Sequence, residues 1–544
     1  MPFLAKENVD IPYNDILSWA YDGAQYAQDK PLYIDAEDPS NSISAAQAKT
    51  LIRKLVAGFR KAGLEKGDTV LIHSFNNIYY PIIVLGIIAF GGVYTGMNPS
   101  YTSHELKHAI QASNAKLLIA EPEILENLLS AAKDHSVPLS RILILDGMNP
   151  TSKAGHQSWT TLLSHGEQDW HTFSSPQEST ETPAMLLFSS GTTGLPKPAI
   201  LSHANLISQH HLFFEHKPRP YALSRLIALP MFHAATAPST HTSALRAGHV
   251  QYIMRRFDPT KYLSYAEKFR ITDLVLVPPM VTAIVFSTLP TPQKRTHLQH
   301  VKAALAGAAP LDPVMQARFQ DLLPESAPFT QIWAMTETSC FASHFPYPEN
   351  DSTGSVGRFL PNLDVKLVSD DGQDISGYGV RGELCVRGPT VIRGYVGRDR
   401  SLDFDDEGYF RTGDVLYVEE QSGKWYIVDR KKELIKVRGF QVAPAELEGV
   451  LLEHPGVWDA AVVGVMRKEG DSEMPRAYVV RKENAEGEAL GEGDVMRWLE
   501  DRLAKYKRLD GGVKFVDVIP KTASGKILKK ILREQAKNEL GAKL

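Results

Sequence analysis

The sequence predicts an α/β protein in which a large N-terminal part of several subdomains, residues 1–430, precedes a small, mobile α+β domain, residues 431–544. Helix signals and short apolar strands alternate along the first part, as expected of a layered α/β fold. Beyond residue 430, Lys and Glu become denser and short strands alternate with short helices. The 544 residues are enough for several separate cores.

Helix caps and apolar runs place the individual elements. Ser44 opens a capping box for a helix that carries Leu51, Leu55 and Phe59 and stops at Gly63. The next predicted elements are a strand at 69–73, a buried helix within 81–93, a capped helix from 102–105, and strands at 116–120, 184–188, 274–278 and 301–305.

Two further segments complete the predicted organisation. The polar, turn-rich stretch at 174–183 predicts a surface connection. Near the C-terminus, Asp494 is predicted to cap a helix that carries Val495, Trp498, Leu499 and Leu503, and a strand at 513–518 should follow.

Composition narrows the function classes. Lys plus Arg total 59 against 63 Asp plus Glu, a net charge of −4, which does not favour nucleic acid or an anionic membrane as partner. The two cysteines, Cys340 and Cys385, cannot build a disulfide framework. The apolar run at 81–93 is shorter than the ~20 residues of a membrane-spanning helix, so no transmembrane segment is expected. The N-terminus shows no secretory signal pattern. A small-molecule ligand is therefore expected.

The chain ends in Gly541-Ala542-Lys543-Leu544. Ala-Lys-Leu has the small, basic, leucine pattern of the Ser-Lys-Leu type of peroxisomal address. We expect a peroxisomal import receptor to read this tripeptide, and a cytoplasmic location if it is not read.

A hydroxyl- and glycine-rich loop, Phe188-Ser-Ser-Gly-Thr-Thr-Gly-Leu-Pro-Lys197, follows the predicted strand at 184–188. Backbone N–H groups near glycines can surround phosphate oxygens, hydroxyls add donors, and Lys197 adds charge. The spacing differs from the Gly-x-x-x-x-Gly-Lys-Ser/Thr loop, and Pro198 follows the lysine. The segment indicates a triphosphate site.

Six segments, in one order along the chain, resemble the adenylate-forming superfamily of acyl-CoA synthetases, 4-coumarate:CoA ligases, luciferases and adenylation domains. They are SSGTTGLPK at 189–197, AGAAP at 306–310, MTE at 335–337, RTGD at 411–414, DRKKELIKVRGFQVAPAELE at 429–448 and PKTASGKILKK at 520–530. The resemblance implies an adenylate-forming N-terminal domain that uses ATP, Mg²⁺ and coenzyme A to activate a small carboxylic acid.

The resemblance also implies a nucleotide site. Glu337 would bind Mg²⁺, a hard cation that prefers oxygen ligands, while Thr193 would meet the metal through the phosphates. Asp414 can accept from both ribose hydroxyls, Arg430 can donate to the same sugar, and Trp333 occupies the adenine-stacking position. The other implied nucleotide contacts are Ser189, Ser190, Gly191, Thr192, Gly194, Lys197, Gly307, Ala308, Ala309 and Thr336.

For catalysis of adenylate formation, the resemblance implies Lys526. A carboxylate that attacks the α-phosphate brings anions together, so a cation that reaches both groups stabilises the transition state. Ser524-Gly525 before it and Ile527-Leu528 after it predict a loop that enters a helix.

Rotation of the C-terminal domain between the two half-reactions is a further implication of the resemblance. Lys432 occupies the hinge position, where the backbone must absorb a large conformational change. After rotation, Lys436, Gly439 and Gln441 would face the site. Glycine at 439 would let the pantetheine arm of coenzyme A pass closely, since it has no side chain.

The acid pocket is expected beside Pro230-Met231-Phe232-His233, where His233 is a candidate catalytic or gating residue. The other predicted lining residues are Ala306, Gly307, Ile332 and Ala334. The 4-coumarate and luciferase pattern has glycines on both sides of its aromatic residue, whereas Ile332 and Ala334 flank Trp333 in this chain. Because added side chains narrow or redirect a flat slot, we expect a fatty or arylalkanoic acid.

Three alternatives stay open at this point. A fatty-acyl-AMP ligase would load an acyl-carrier protein, but no obvious insertion lies near residue 430, so free coenzyme A, with a downstream acyltransferase using the product, is preferred. Nothing positive indicates a luciferase-type oxygenase. The presence of Lys197, Glu337, Asp414, Arg430 and Lys526 disfavours a non-catalytic relative.

Overall fold

A computed structural model describes residues 2–135, 137–148, 155–189, 196–309, 311–437, 440–466, 473–503, 505–522 and 525–541. Among the predicted site residues, Ser190, Gly191, Thr192, Thr193, Gly194 and Gly439 lie outside the described residues, as does the terminal tripeptide 542–544.

The described α-helices begin mostly at polar caps or prolines. Ser44 and Thr102 both form the predicted capping boxes. The helices are α1 (Ile16–Asp22), α2 (Ala45–Lys61), α3 (Tyr80–Phe90), α4 (Ser103–Ser113), α5 (Leu125–Asp134), α6 (Pro176–Glu181), α7 (His203–His210), α8 (Ala244–Ala247), α9 (Pro259–Lys268), α10 (Pro278–Val285), α11 (Thr291–Leu298), α12 (Pro313–Gln320), α13 (Pro444–Leu452), α14 (Ala485–Glu488), α15 (Glu492–Glu500) and α16 (Lys529–Gly541).

The strands are short and mostly apolar. They are β1 (Pro31–Asp35), β2 (Ser42–Ser44), β3 (Thr69–His73), β4 (Val93–Met97), β5 (Ala115–Ala120), β6 (Ile142–Ile144), β7 (Gln157–Ser158), β8 (Pro183–Ser189), β9 (Lys197–Ser202), β10 (Ser224–Ile227), β11 (Val250–Ile253), β12 (Asp273–Leu276), β13 (Ala303–Ala306), β14 (Phe329–Gln331), β15 (Trp333–Met335), β16 (Cys340–His344), β17 (Arg358–Phe359), β18 (Asp364–Val368), β19 (Gly382–Arg387), β20 (Phe410–Val418), β21 (Trp425–Arg430), β22 (Ile435–Val437), β23 (Phe440–Val442), β24 (Val457–Met466), β25 (Glu473–Arg481) and β26 (Val513–Phe515).

Two seven-stranded sheets organise the N-terminal part. Their strand orders are β7-β6-β5-β3-β4-β8-β9 and β14-β13-β12-β10-β11-β1-β2. Every neighbouring pair is parallel except β8–β9 and β1–β2. Parallel strands are covered on both faces, which explains why β3 and β4 are buried at every position.

Helix α3 confirms the predicted buried helix at the apolar run. All of its residues are buried, and it packs against α2 within the largest apolar core. A helix that is apolar on every side needs this surrounding. Among the described residues, no helix combines the length and the apolar character needed to cross a membrane.

A four-stranded antiparallel sheet, β18-β19-β20-β21, ends the N-terminal part at Arg430. The chain then enters the hairpin β22-β23, the sheet β24-β25-β26 and the helices that pack on them. This C-terminal part has apolar clusters of its own. The predicted division at 430/431 falls between β21 and β22, which belong to separate sheets.

Two local predictions differ from the structure. The polar stretch at 174–183 contains the short helix α6, because Ser175 caps it and Pro176 occupies its first turn. The predicted cap at Asp494 is also wrong. Helix α15 begins at Glu492 after Gly491, and the Asp494 carboxylate accepts from the Gly491 N–H at 2.9 Å, so it acts from inside the first turn.

Candidate active site

A cavity of about 420 Å³ lies beyond the carboxyl ends of strands from both parallel sheets. Its walls come from the segments after β3, β4, β10, β11 and β12, including Phe75, Asn98 and Phe232. Thr522 and Gly525 of the C-terminal part complete the lining. Open α/β sheets bind ligands at this edge, so the topology itself predicts a site here.

Asp414 is the centre of a buried charged group. Its side chain projects from β20 opposite Arg430 of β21. The Arg430 Nε lies 3.2 Å from Asp414 Oδ1, and the indole N–H of Trp333 donates to Oδ2 at 2.9 Å. Burial by itself lowers the pKa of Arg430, but the charges of Asp414, Glu433 and Glu337 more than offset this and raise it. Both carboxylate oxygens are thus oriented before a nucleotide arrives.

A tight turn holds Lys526 against the N-terminal part. The Thr522 N–H donates to the Lys526 carbonyl at 2.8 Å, and the Lys526 N–H donates to Thr522 Oγ1 at 3.1 Å. Gly525 has φ +82°, and a Cβ there would lie 2.4 Å from Pro279 Cγ. Glycine is therefore required for the turn to approach the start of α10.

The Lys526 side chain shares its surroundings with the Asp414 group. Burial, and then the charge of Arg430, lower the pKa of Lys526 to about 8, while Glu433, Asp414 and Glu337 act in the opposite direction. The ammonium group is still mostly protonated at neutral pH. The structure therefore brings Lys526, Asp414, Arg430 and Glu337 together, although their motifs are far apart in the sequence.

Glu337 lies in a 3₁₀ turn, Thr336–Thr338, and is buried. The Tyr395 hydroxyl donates to Glu337 Oε1 at 2.6 Å. Burial, followed by the charge of Glu337, raises the pKa of Tyr395, which keeps the phenol protonated as a donor. Lys197 Nζ lies 5.6 Å from the centre of the Tyr395 ring, so Tyr395 connects Glu337 with the end of the phosphate loop.

The residues present fit a magnesium ion. No hydrogen-bond partner of Glu337 Oε2 is seen among the described residues, so this oxygen is available to a cation. The described part of the chain has no group of three or more His, Cys, Asp or Glu side chains arranged for a metal. Mg²⁺ is commonly held by one or two carboxylates together with substrate phosphates.

Comparisons with known proteins agree with this geometry. The sequence model of the AMP-binding enzyme family matches residues 20–396, and that of the AMP-binding enzyme C-terminal domain matches residues 446–526. The phenylacetyl-CoA ligase epaB of Aspergillus niger is 50% identical, covering 99% of this chain and 100% of the relative. The acyl-CoA ligase azaF of Aspergillus niger is also 50% identical, covering 98% and 100%.

The fold comparison leads to the same family. The crystal structure of ATP-bound MatB from Rhodopseudomonas palustris has a TM-score of 0.83 and 26% identity, covering 96% of this chain and 99% of that chain. The chain belongs to the AMP-binding enzyme family. It is a member of the adenylate-forming superfamily, as the motifs predicted, and has the expected large N-terminal and smaller C-terminal parts.

The segment that is predicted to bind phosphate begins and ends at two antiparallel strands of this AMP-binding enzyme. Ser189 ends β8, Lys197 begins β9, and the two residues pair with each other. Strand β8 lies beside β4, with which it is parallel. Ser189 therefore lies at the carboxyl edge of the sheet, the edge where the cavity lies.

On the adenine side, Trp333 is 3% exposed and packs edge-on against Phe359, with ring centres 5.8 Å apart. Its stacking on adenine stays a prediction. Gly307 follows β13 and is buried, whereas Ala308 is exposed and has φ +70°. Ala309 is partly exposed beside it.

Ile332 decides the shape of the predicted acid slot. Its N–H donates to the Ala306 carbonyl at 2.9 Å, which sets the backbone beside Gly307. A Cβ on Gly307 would lie 2.8 Å from Ile332 Cγ1, so the isoleucine side chain covers the glycine. Ala334 pairs with Phe341 on the neighbouring strand. Ala306, Gly307, Ile332 and Ala334 do not line the cavity of about 420 Å³, so the acid slot stays a prediction.

His233 lies apart from the charged group. Its Nδ1 accepts from the Ala235 N–H at 3.1 Å, and burial lowers the pKa of His233 to about 4, so the ring is neutral at physiological pH. Among the described residues, no hydrogen bond or ion pair joins it to Lys526, Asp414 or Glu337. Its neighbours in the chain, Pro230 and Phe232, line the cavity.

Two of the residues implied for the thioester step, Lys436 and Gln441, pair in the hairpin β22-β23. The Lys436 side chain is exposed, and its N–H donates to Glu473 at 2.8 Å. At the predicted hinge, the carbonyl of Lys432 accepts from Arg533 at 3.3 Å. Neither Lys436 nor Lys432 lines the cavity, whereas Gly525 does.

Tyr395 is a candidate site residue that sequence reasoning missed. It lies in the segment IRGYVG, and a tyrosine beside glycines carries no chemical signature without a known partner. Its contact with Glu337 spans 58 residues of chain and arises only from folding.

Proposed function

We propose that this AMP-binding enzyme, an ATP-dependent acyl-CoA ligase, converts a compact aliphatic or arylalkanoic acid into its acyl-adenylate and then into the acyl-CoA. Pyrophosphate leaves in the first step and AMP in the second. The observation that carries the proposal is the placement of Lys526 beside Asp414, Arg430 and Glu337. The names of epaB and azaF, which are 50% identical over nearly the whole chain, support the activity.

In the first half-reaction, an oxygen of the acid attacks the α-phosphorus of ATP, and the bond to pyrophosphate breaks. The Lys526 ammonium group stabilises the negative charge shared by the attacking carboxylate and the phosphoryl oxygens. Asp414 and Arg430 hold the ribose. Their mutual contact means that little reorganisation is needed when the nucleotide binds.

Magnesium would be held by Glu337 together with the phosphates, and would supply neutralisation of their charge. Tyr395 fixes one oxygen of Glu337 and so orients the other. Such a supporting hydrogen bond commonly tunes metal affinity.

In the second half-reaction, the thiol of coenzyme A attacks the acyl carbonyl and releases AMP. We propose that the C-terminal part rotates about Lys432, withdraws Lys526 and presents the hairpin that carries Lys436, Gly439 and Gln441. The cavity of about 420 Å³ supports this proposal, because Thr522 and Gly525 form part of its wall. In the proposed rotation, both residues would move out of the cavity together with Lys526.

The acid would lie between His233 and the covered Gly307. Because Ile332 fills the space over Gly307, a broad, flat ring bound directly to the carboxylate is disfavoured relative to an acid with a flexible methylene beside the carboxylate. The neutral His233 can accept or donate one hydrogen bond near the acyl carbonyl without adding charge.

An acid panel tests the proposal. Purified enzyme is supplied with ATP, Mg²⁺, coenzyme A and acids of matched size with and without a methylene before the ring. AMP and acyl-CoA are followed together by mass spectrometry. We expect equal amounts of both products with phenylacetic and short aliphatic acids, less with benzoic acid, and none without Mg²⁺. Acyl-AMP without acyl-CoA would favour a carrier protein as acceptor, and no product from any acid would refute the proposal.

The C-terminal Ala-Lys-Leu supports a peroxisomal location, where an import receptor would read it and a downstream acyltransferase could use the product. A fluorescent fusion that preserves the last three residues should colocalise with peroxisomes, and deletion of those residues should return it to the cytoplasm. A diffuse intact fusion would reject this location.

A further inference from the structure

A second, smaller cavity lies beside the first. It is about 20 Å³ in volume and shares Ala228 and Leu229 with the larger cavity. Its polar lining consists of Arg225, Asp273, Thr236 and Ser239. A space of this size holds a group as large as one water molecule.

Arg225 is an unusual residue for its position in β10. It is 4% exposed on an internal strand of a parallel sheet, directly opposite Asp273 of β12. Its guanidinium lies 4.8 Å above the ring of Phe214. No hydrogen bond or ion pair to this guanidinium is seen among the described residues, and its Nε is buried without a partner. An arginine keeps its charge in proteins, so Arg225 stays charged although its Nε has no hydrogen-bond acceptor.

The other polar groups around the cavity are also incomplete. Asp273 is 5% exposed; its Oδ1 accepts from the Tyr221 hydroxyl at 3.4 Å and lies 3.7 Å from Arg219 Nε, but its Oδ2 has no partner. Thr236 is 3% exposed, and its Oγ1 is also unpartnered. Buried polar atoms without partners cost free energy, so native structures rarely keep several together without a ligand or water.

The small cavity lies next to the proposed path of the acid. Val275, which lines it, pairs with Leu305, one residue before Ala306. Ala235 and Thr236 lie two and three residues after His233 in the chain. Val275 therefore places the small cavity beside the strand that leads to Gly307, and none of its described lining residues comes from the C-terminal part that carries Lys526.

Two π-helical turns flank this region. Residues 211–215 carry Phe214, and residues 238–243 carry Ser239. Such turns are rare, and they occur often at functional sites because they re-aim side chains within a helix. Ser239 of the second turn lines the small cavity, and Phe214 of the first turn lies against the Arg225 guanidinium.

We infer that Arg225 determines acid specificity, and that the small cavity receives one hydroxyl group carried by the acid at the end remote from its carboxylate. This inference rests on the proposed function. Arg225 donates a hydrogen bond to the hydroxyl oxygen, and the hydroxyl group donates a hydrogen bond to Asp273 Oδ2. A hydroxyl satisfies both unpartnered groups at once, whereas a second carboxylate exceeds the volume and a methyl group satisfies neither.

Matched acid pairs provide the test. The probes are phenylacetic acid against 4-hydroxyphenylacetic acid, and hexanoic acid against 6-hydroxyhexanoic acid. The readout is the ratio of kcat/KM for the hydroxylated acid to that for its parent, from AMP and acyl-CoA formation. We expect a ratio of about 10 or more in at least one pair, because a site built to hydrogen-bond a substrate hydroxyl discriminates strongly against its absence.

Arg225→Met removes the donor while keeping an unbranched side chain over Phe214. We expect the ratio to fall to about 1 or below, with the loss mainly on the hydroxylated acid. Arg358→Met is the matched control, because it removes another arginine that lies over a phenylalanine ring, that of Phe345, and lines neither cavity; its ratio should stay within about twofold of the unmodified enzyme. If Arg225→Met does not fold, Thr236→Val, which preserves the shape of the side chain but removes its hydroxyl, gives a second measurement of the kcat/KM ratio.

The outcomes separate this inference from the proposed function. If neither member of a pair yields AMP and acyl-CoA, the proposed function fails. If both members are converted with equal kcat/KM, the enzyme is a ligase but a trapped water occupies the cavity, and the inference is overturned. Equal losses for both acids in Arg225→Met would also overturn it, because Arg225 would then be a purely structural residue.

Discussion

Around Asp414, both carboxylate oxygens have partners, whereas around Arg225 several buried polar atoms have none. Both oxygens of Asp414 have donors from Trp333 and Arg430. The Arg225 Nε and one oxygen of Asp273 have none. ATP is the same molecule in every turnover, so a site for it can be completed in advance by the protein. A site that selects among acids instead keeps polar atoms without protein partners, so that they can hydrogen-bond to the substrate group that it recognises.

The largest expected effect tests the partnered site. Lys526→Ala should lower the rate of acyl-adenylate formation by about 10²–10³, the scale of one lost electrostatic donor. The conversion of supplied acyl-adenylate to acyl-CoA should be largely preserved, because Lys526 acts only in the first half-reaction. Pyrophosphate exchange measures the first step, and thiol consumption measures the second. Equal loss in both half-reactions would contradict this division of labour.

An intermediate effect comes from the lowered pKa of Lys526. The protonated form is the active one, and its folded pKa is about 8, so the charge is present below that pH and is lost as the pH rises through it. We expect kcat/KM for adenylate formation to fall about tenfold per pH unit above 8. Lys526→Arg should remove this decline up to about pH 10, since guanidinium does not titrate there. A decline that persists in Lys526→Arg would assign it to another group.

The smallest effect compares the two clusters directly in stability. Asp414→Asn removes the charge that Arg430 contacts, and we expect a loss of about 1–3 kcal/mol. Arg225→Met removes a buried charge that makes no hydrogen bond but attracts the Asp273 carboxylate and opposes the rise in its pKa on burial. Its loss leaves Asp273 buried with less compensation, so we expect a similar loss of about 1–3 kcal/mol. Urea unfolding midpoints, measured side by side, provide the comparison. A change close to zero for Arg225→Met would show that Asp273 does not depend on its charge.

Much of the fold was predictable from local patterns. The capping boxes at Ser44 and Thr102, the buried helix α3 and the entry into α16 follow from residue type and spacing. The start of α15 was predicted wrongly, because an aspartate such as Asp494 fits the first turn of a helix as well as the cap position. At the site, the motif at 520–530 predicts Lys526, whose role stays a prediction, whereas the contact of Tyr395 with Glu337 could not be predicted because it joins residues far apart in the chain.

The sequence by itself determined the class of fold, the order of the motifs and the chemistry that those motifs imply, because each depends on residues close together in the chain. Only the tertiary structure decided that Ile332 covers Gly307, that Tyr395 holds Glu337, and that Arg225 faces Asp273 without a hydrogen-bonding partner. Contacts of this kind depend on strand register and on the packing of segments far apart in sequence, and such long-range geometry has no local signal.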